Sequence, residues 1–332
     1  MNDSSDKRQR KARFAAAISV TFVALFAFAF IGLVLLLDNW ASDKEVEEEV
    51  PVATEAPSDP FYVLLIGSDS RKGTAIYTGK ASEHAQLDQH SDIMTLMRVD
   101  PAGRTVTLVS IPRDTVLEGQ KTKINDSLAS NDPEQVVDAV AELTGIRADS
   151  YMMTTFVSFE NLINALGGID VDVPQSVSVT DPATGKSVTV KEGKNRHLNG
   201  AEALAFVRAR KEYGEDQEAL RQVNVRSMER ALIKKVLDYG TSAPENIEHV
   251  LVTLDEDTKT NADLSAMGFI MLDFVANADA VTIYDCTGPY QGGERKSDGA
   301  WVVEEDKETW KRLMEVVNAG EDPSGVVEAP KV

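Results

Sequence analysis

The chain has 332 residues, 42% of them hydrophobic and 27% charged, with a formal net charge of −20. That is enough apolar material for one large or two small folded domains, and an acidic surface of this kind repels polyanions and argues against nucleic-acid binding. Cys286 is the single cysteine and the four histidines (His84, His90, His197, His249) are scattered, so an internal disulfide is excluded and a zinc site disfavoured.

The first 59 residues do not read as part of a folded domain. Residues 1–13 form a basic tail: Lys7, Arg8, Arg10, Lys11 and Arg13 against Asp3 and Asp6 give +3, which leaves −23 on the rest of the −20 chain. Phe14–Leu37 then runs 24 residues without a charge. About 20 apolar residues span a bilayer as a helix, and a cleaved signal peptide has a shorter apolar core of roughly 7–15 residues. Residues 14–37 are therefore expected to be an uncleaved transmembrane anchor. Basic residues before it and acids after it set the N-terminus in the cytoplasm and everything past Asp38 outside the cell membrane, in a single-pass topology. Residues 38–59 are acidic and proline-bearing, as in a flexible stalk. Residues 321–332, "EDPSGVVEAPKV", read as a loose, disordered tail.

Between these limits strands and helices alternate. "FYVLLIG" (Phe61–Gly67), "DIMTLMRVD" (Asp92–Asp100) and "TVTLVSI" (Thr105–Ile111) read as strands, the last two joined as a hairpin by "DPAG". Asp132-Pro133 has the form of an N-cap with proline at the first helical position, and predicts a helix to Thr144 with Gly145 as its stop. Phe159, Leu162, Ile163 and Leu166 stand at i, i+3, i+4 and i+7, one apolar helix face closed by Gly167. "IDVDV" (Ile169–Val173) alternates like a strand. Asn199 and Glu202 form a capping box for a helix taken to end near Ala205, with Phe206–Arg210 extended so that Arg208 and Arg210 face one way. Helices follow at 218–237, 262–277 and 306–317, with a strand at 281–286. The pattern predicts one α/β domain over 60–320, a mixed sheet between helices.

Charge collects at the strand ends. "GSDSR" puts Asp69 and Arg71 just past the first strand, and "VSIPRDT" puts Arg113 and Asp114 just past the third. In α/β sheets ligands bind beyond the carboxyl ends of strands, and proline ends the ladder because it lacks an N–H. An antiparallel hairpin would bring Asp92, at the start of the second strand, beside Arg113. Carboxylates at 69 and 92 suit Mg²⁺, which takes one or two of them and fills its shell with phosphate oxygens and water. Arg113, Arg208 and Arg210 suit phosphate through forked hydrogen bonds. Together the set suits a pyrophosphate whose charge builds up as a bond to it breaks. A set of surface salt bridges is the plain alternative.

These residues resemble the LytR–CpsA–Psr cell-wall ligases. "LLIGSDSR", "HSDIMTLMRVDP", "VSIPRDT", "KIND" (Lys123–Asp126), "NALGGIDVDV" and "HLNGAEALAFVRARK" are similar to that family's motifs and stand in its order across the outer domain. The resemblance implies an extracytoplasmic α-β-α domain with an apolar channel. It implies a phosphotransferase that takes a glycan from a polyprenyl-pyrophosphate carrier and joins it to peptidoglycan. Asp69 and Asp92 would hold Mg²⁺ (or Mn²⁺). Arg113, Arg208 and Arg210, with His90, Arg71 and Arg221, would bind the pyrophosphate. Asp114 or Glu218 would take the acceptor's proton. Three positions depart from the family pattern: His90 replaces an arginine, Glu218 an aspartate and Val225 a glutamine. They keep two rivals open, a hydrolase of the same lipid and a non-catalytic lipid-binding regulator.

Overall fold

The computed structural model describes residues 57–70, 89–129, 131–182, 184–242 and 258–328. The expected basic tail, the anchor at 14–37, nearly all of the expected stalk, and Arg71 lie outside these. Among the described residues no helix is long and apolar enough to cross a membrane.

Apolar runs make the middle of a sheet. β1 (Phe61–Ser68) pairs antiparallel with β2 (Ser91–Asp100), which pairs antiparallel with β3 (Thr105–Ser110) as the expected hairpin. Its turn is closed by Gly103 N–H donating to Asp100 Oδ1 at 2.8 Å. A short β4 (Thr115–Val116) follows, and then α1 (Pro133–Thr144), capped by Asp132 and ended by Gly145 at φ 74°. β5 (Ser150–Thr154) leads into α2 (Phe156–Ala165), whose N-cap is Thr155. Two hairpin-like units come next, β6 (Ile169–Val173) with β9 (Gly193–Leu198) and β7 (Val177–Thr180) with β8 (Ser187–Val190). α3 (Gly200–Arg208) opens on the Asn199–Glu202 capping box, and α4 (Gln217–Ser242) follows. The rest is β10 (Thr258–Thr260), α5 (Leu264–Ala276), β11 (Thr282–Thr287), β12 (Gly292–Glu294), β13 (Trp301–Glu304) and α6 (Lys307–Asn318).

The main sheet is mixed, in the order β10-β5-β1-β2-β3-β11. One face packs Tyr62, Leu64, Ile66, Met94, Leu96 and Val109 against α1 and α6. α6 supplies Trp310, Leu313, Met314 and Val317, at i, i+3, i+4 and i+7, all buried. The other face lies under α4 and α5, where Val99, Val106 and Leu108 meet Leu237, Ile270 and Phe274. α2, α3, part of α4 and the two small hairpins enclose a second apolar core around Phe206 and Val225. α2 and α3 touch backbone to backbone: a Cβ on Gly200 would stand 2.3 Å from Glu160 O.

Two expectations change. α3 does not stop at Ala205 but runs to Arg208, because Phe206 and Val207 are buried in the second core and Ala209 N–H still reaches Ala205 O at 3.0 Å. The segment 321–328, read as a loose tail, returns to the sheet: Pro323 is buried and Val326 packs on the apolar core beside α6.

Candidate active site

The site forms where β1, β2 and β3 end or begin. Ile111 N–H makes the last contact of the β3 tip with β2, to Met94 O at 2.9 Å. Pro112 then stops the ladder, and Thr115 folds back on it, donating through N–H at 3.1 Å and Oγ1 at 2.7 Å to Pro112 O. This turn projects Arg113 sideways across the end of β2, where Nη1 donates to Asp92 Oδ1. At the tip of β1, Asp69 and His90 bond each other reciprocally. Asp69 N–H donates to His90 O at 3.2 Å, and His90 N–H donates to Asp69 Oδ1 at 2.8 Å.

Glu218, in the first turn of α4, is the hub. Arg221 grips it with Nε at 3.1 Å and Nη2 at 2.6 Å, and Nη2 also donates to Asp92 O at 2.9 Å. The Nε atoms of Arg210 and Arg113 stand 3.3 and 3.5 Å from Glu218 Oε2. Burial pushes the Glu218 carboxyl up, but the guanidiniums of Arg221, Arg113 and Arg210 outweigh it and hold it below the ordinary range. Burial likewise works against the charge on Arg113, and the carboxylates of Asp92, Glu218 and Asp114 reverse that. Arg210 is lowered by burial and by neighbouring Arg113.

Arg208, the last residue of α3, lies with its guanidinium 4.6 Å from the centre of the Phe156 ring and donates from Nη1 to Thr180 O at 3.0 Å. Burial lowers its pKa, and Asp92, Asp181 and Glu160 restore part of the charge's stability. Because Ala209 leaves the helix at ψ 128°, Arg210 comes back to the same cavity.

That cavity is about 200 Å³. Its lining has a charged part, Asp92, Arg113, Arg208, Arg210 and Arg221, and an apolar part, Ile93, Phe156, Phe159, Leu204 and Val207. Four guanidiniums line one cavity of an acidic protein, partly offset by Asp92, Glu218 and Asp114 around Arg113 and by Asp181 and Glu160 around Arg208. Arginine forks in a partly dry pocket are strong anion binders. A larger depression of about 780 Å³ between β4, β13 and the start of α6 is lined by Glu118, Glu304, Glu305, Asp306 and Glu308, a poor lining for an anion.

The remaining expected residues divide. Asp69 is raised by burial first, against the His90 hydrogen bonds, with Asp92 adding like-charge repulsion. Two carboxylates that repel each other, one of them lining the arginine-lined cavity, fit a divalent cation that takes its other ligands from phosphate and water. Among the described residues, no group of three His, Cys, Asp or Glu side chains is placed to hold a metal by itself. His90 does not line the cavity; its half-exposed ring bridges Asp69 and Asp126, 3.4 Å from each. Asp114 is buried and ion-paired to Lys123 at 2.5 Å. Val225 is 3% exposed in the second apolar core, so apolar packing, not a lost substrate contact, accounts for valine there. Two contributors went unread in the sequence. Phe156 under Arg208 gives no local signal. Lys123 stands in the quoted "KIND" segment, but its partner is set by the fold.

The LytR_cpsA_psr family model matches residues 36–318. A polyisoprenyl-teichoic acid–peptidoglycan teichoic acid transferase of Bacillus subtilis, TagV, is 31% identical over 204 residues, 57% of this chain and 49% of TagV. The chain thus spans about half the length of that relative. A second B. subtilis transferase of the same description, TagU, is 28% identical over 237 residues, 70% of this chain and 68% of TagU. The crystal structure of B. subtilis TagV superposes with a TM-score of 0.61 at 24% identity, covering 83% of this chain and 100% of that one, and shows the same mixed α/β fold.

Proposed function

Because this chain belongs to the LytR–CpsA–Psr family, we propose that it is a transferase joining a glycan, carried as a polyprenyl pyrophosphate, to peptidoglycan through a phosphodiester. The observation that carries the reading is the mixed lining of the cavity, four arginines and Asp92 together with Ile93, Phe156, Phe159, Leu204 and Val207. An anionic head on a hydrocarbon tail matches both parts at once. The relatives described as teichoic acid transferases support the same substrate class. The uncharged run 14–37 supports a membrane anchor that keeps the outer domain near a bilayer-dissolved substrate.

In this reading a peptidoglycan hydroxyl attacks the phosphorus nearest the glycan, and the bond to the polyprenyl phosphate breaks. Arg113, Arg208 and Arg210 receive the charge that develops on the leaving phosphate. Arg221 acts one step back, holding Glu218 and the Asp92 backbone in place. Asp114, buried and paired with Lys123 and 3.8 Å from Arg113 Nε, or Glu218, held by three guanidiniums, is the proposed acceptor of the hydroxyl proton. Asp69 and Asp92 would hold Mg²⁺, which when bound supplies charge neutralisation on the pyrophosphate.

The test incubates the full chain with a synthetic polyprenyl-pyrophosphoryl sugar and a peptidoglycan oligomer, with Mg²⁺ present or chelated, and reads products by mass spectrometry. A metal-dependent sugar–phosphodiester–oligomer product is expected. Arg113→Ala should lower its rate on the order of 10²-fold or more while the protein still folds. Cleavage without attachment would make the protein a hydrolase, and lipid binding without consumption would make it a binding protein.

A further inference from the structure

α4 sits on the sheet through a buried polar layer that the site chemistry does not use. Thr95 of β2, Ser110 of β3 and Thr287 of β11 stand in one transverse row, since Thr95 is opposite Ser110 and Ser110 is opposite Thr287. α4 meets this row with Gln222, Arg226 and Glu229, at i, i+4 and i+7, one helix face. Each side chain finds one hydroxyl. Thr287 Oγ1 lies 3.0 Å from Gln222 Oε1, Arg226 Nη1 lies 3.5 Å from Ser110 Oγ, and Thr95 Oγ1 donates to Glu229 Oε1 at 2.7 Å. All six residues are at most 7% exposed.

The layer lies directly below the site. Thr95 is three residues from Asp92 on β2, Ser110 three from Arg113, and Gln222 next to Arg221. It therefore cross-ties the three elements that carry Asp92, Arg113 and the Glu218–Arg221 pair. Its weak point is Glu229, whose Oε2 is buried and has no hydrogen-bond partner among the described residues. An ionised carboxylate left so is costly, and a protonated one costs less.

We infer that Glu229 is a positioning residue, which in its neutral form seats α4 on β2 so that Glu218 and Arg221 hold the anion-binding arginines in place. This rests on the transferase reading only for its consequence in catalysis. The groups facing Glu229 are Arg226 from α4 itself and Asp285 from β11, which also pairs with Arg226 at 3.6 Å and with Arg230; from β2 and β3 the facing groups are the hydroxyls of Thr95 and Ser110. Burial pushes the Glu229 carboxyl up to about 7, against the hydrogen bond from Thr95 and the charge of Arg226. Above that pH the unpartnered oxygen becomes charged, draws on Arg226 or water, and loosens the seat of α4.

The experiment measures the affinity of the full chain for inorganic pyrophosphate by calorimetry from pH 6 to 9, together with transfer activity, for wild type, Glu229→Gln and Thr95→Val. Glutamine keeps the acceptor to Thr95 and cannot ionise. The Glu229→Gln and wild-type affinities should agree at pH 6 and differ severalfold at pH 9, with the wild type weaker. Thr95→Val removes the one hydrogen bond that favours the ionised form, so it should bind more weakly throughout and lose affinity at a higher pH than wild type. A constant Glu229→Gln to wild-type ratio across pH, with only the melting temperature changed, would overturn the inference. If Glu229→Gln does not fold, the limb of Thr95→Val decides, and an unmoved limb overturns it. A wild type that binds pyrophosphate but never transfers refutes the transferase reading alone; one that does neither refutes both.

Discussion

The face of the sheet under α1 and α6 and the end of the sheet that carries the site are built on opposite terms. The first is apolar over most of its area, with Trp310, Leu313 and Val317 at most 1% exposed against Leu64 and Leu96, and polar only at its margin, where Tyr62 meets Asn318 and Arg98. Most of its stability comes from area removed from water, which does not depend on pH. The second gathers buried guanidiniums around Glu218 and Asp92, where desolvation offsets much of the Coulombic gain. The buried Nε atoms of Arg113 and Arg210 make ion-pair but not hydrogen-bond contacts with Glu218. Arginines packed this way are held by the rest of the fold, and their forks are suited to an anion.

The largest effect should come from the apolar face. Trp310→Ala removes the largest fully buried side chain and leaves a cavity, and should lower unfolding free energy by about 3–5 kcal/mol in urea titrations. The loss should be the same at pH 5 and pH 8. An effect under about 1 kcal/mol would mean that α6 is not part of the cooperative core.

Glu218→Gln should cost less, about 2 kcal/mol at pH 7, by leaving three arginines without their shared anion. Here pH sharpens the contrast. The folded Glu218 carboxyl lies below its ordinary 4.5, so its stabilisation is complete above about pH 4.5 and is lost as pH falls through the folded value. The glutamine variant should lack that acid-side loss, whereas Trp310→Ala should keep it. Parallel stability–pH curves for Glu218→Gln and wild type would refute the three-arginine hub.

Arg208→Lys should show the smallest change. It removes the stack on Phe156 and the guanidinium fork, so stability should fall by no more than about 1 kcal/mol. Pyrophosphate affinity should fall about fivefold. Unchanged affinity would mean that Arg208 serves the packing of α2 on α3 and not the anion.

The sequence alone determined what is local. Asp132-Pro133 with Gly145, and Asn199 with Glu202, satisfy helix-end groups within a few residues, so α1 and the start of α3 could be read from spacing. The three apolar runs and the "DPAG" turn fixed the hairpin, and with it the meeting of Asp92 and Arg113. Tertiary structure decided what depends on burial and on the approach of distant elements. α3 reaches Arg208 because the second core takes in Phe206 and Val207. His90 meets Asp69 and Asp126, and Val225 turns to the core instead of a ligand. Glu218 became a hub, and Glu229 a buried acid over Thr95, because α4 lies across β2, β3 and β11 at one particular rotation. Hydropathy periodicity could not give that rotation, since the buried side of α4 mixes Gln222, Arg226 and Glu229 with Val225, Met228 and Leu237.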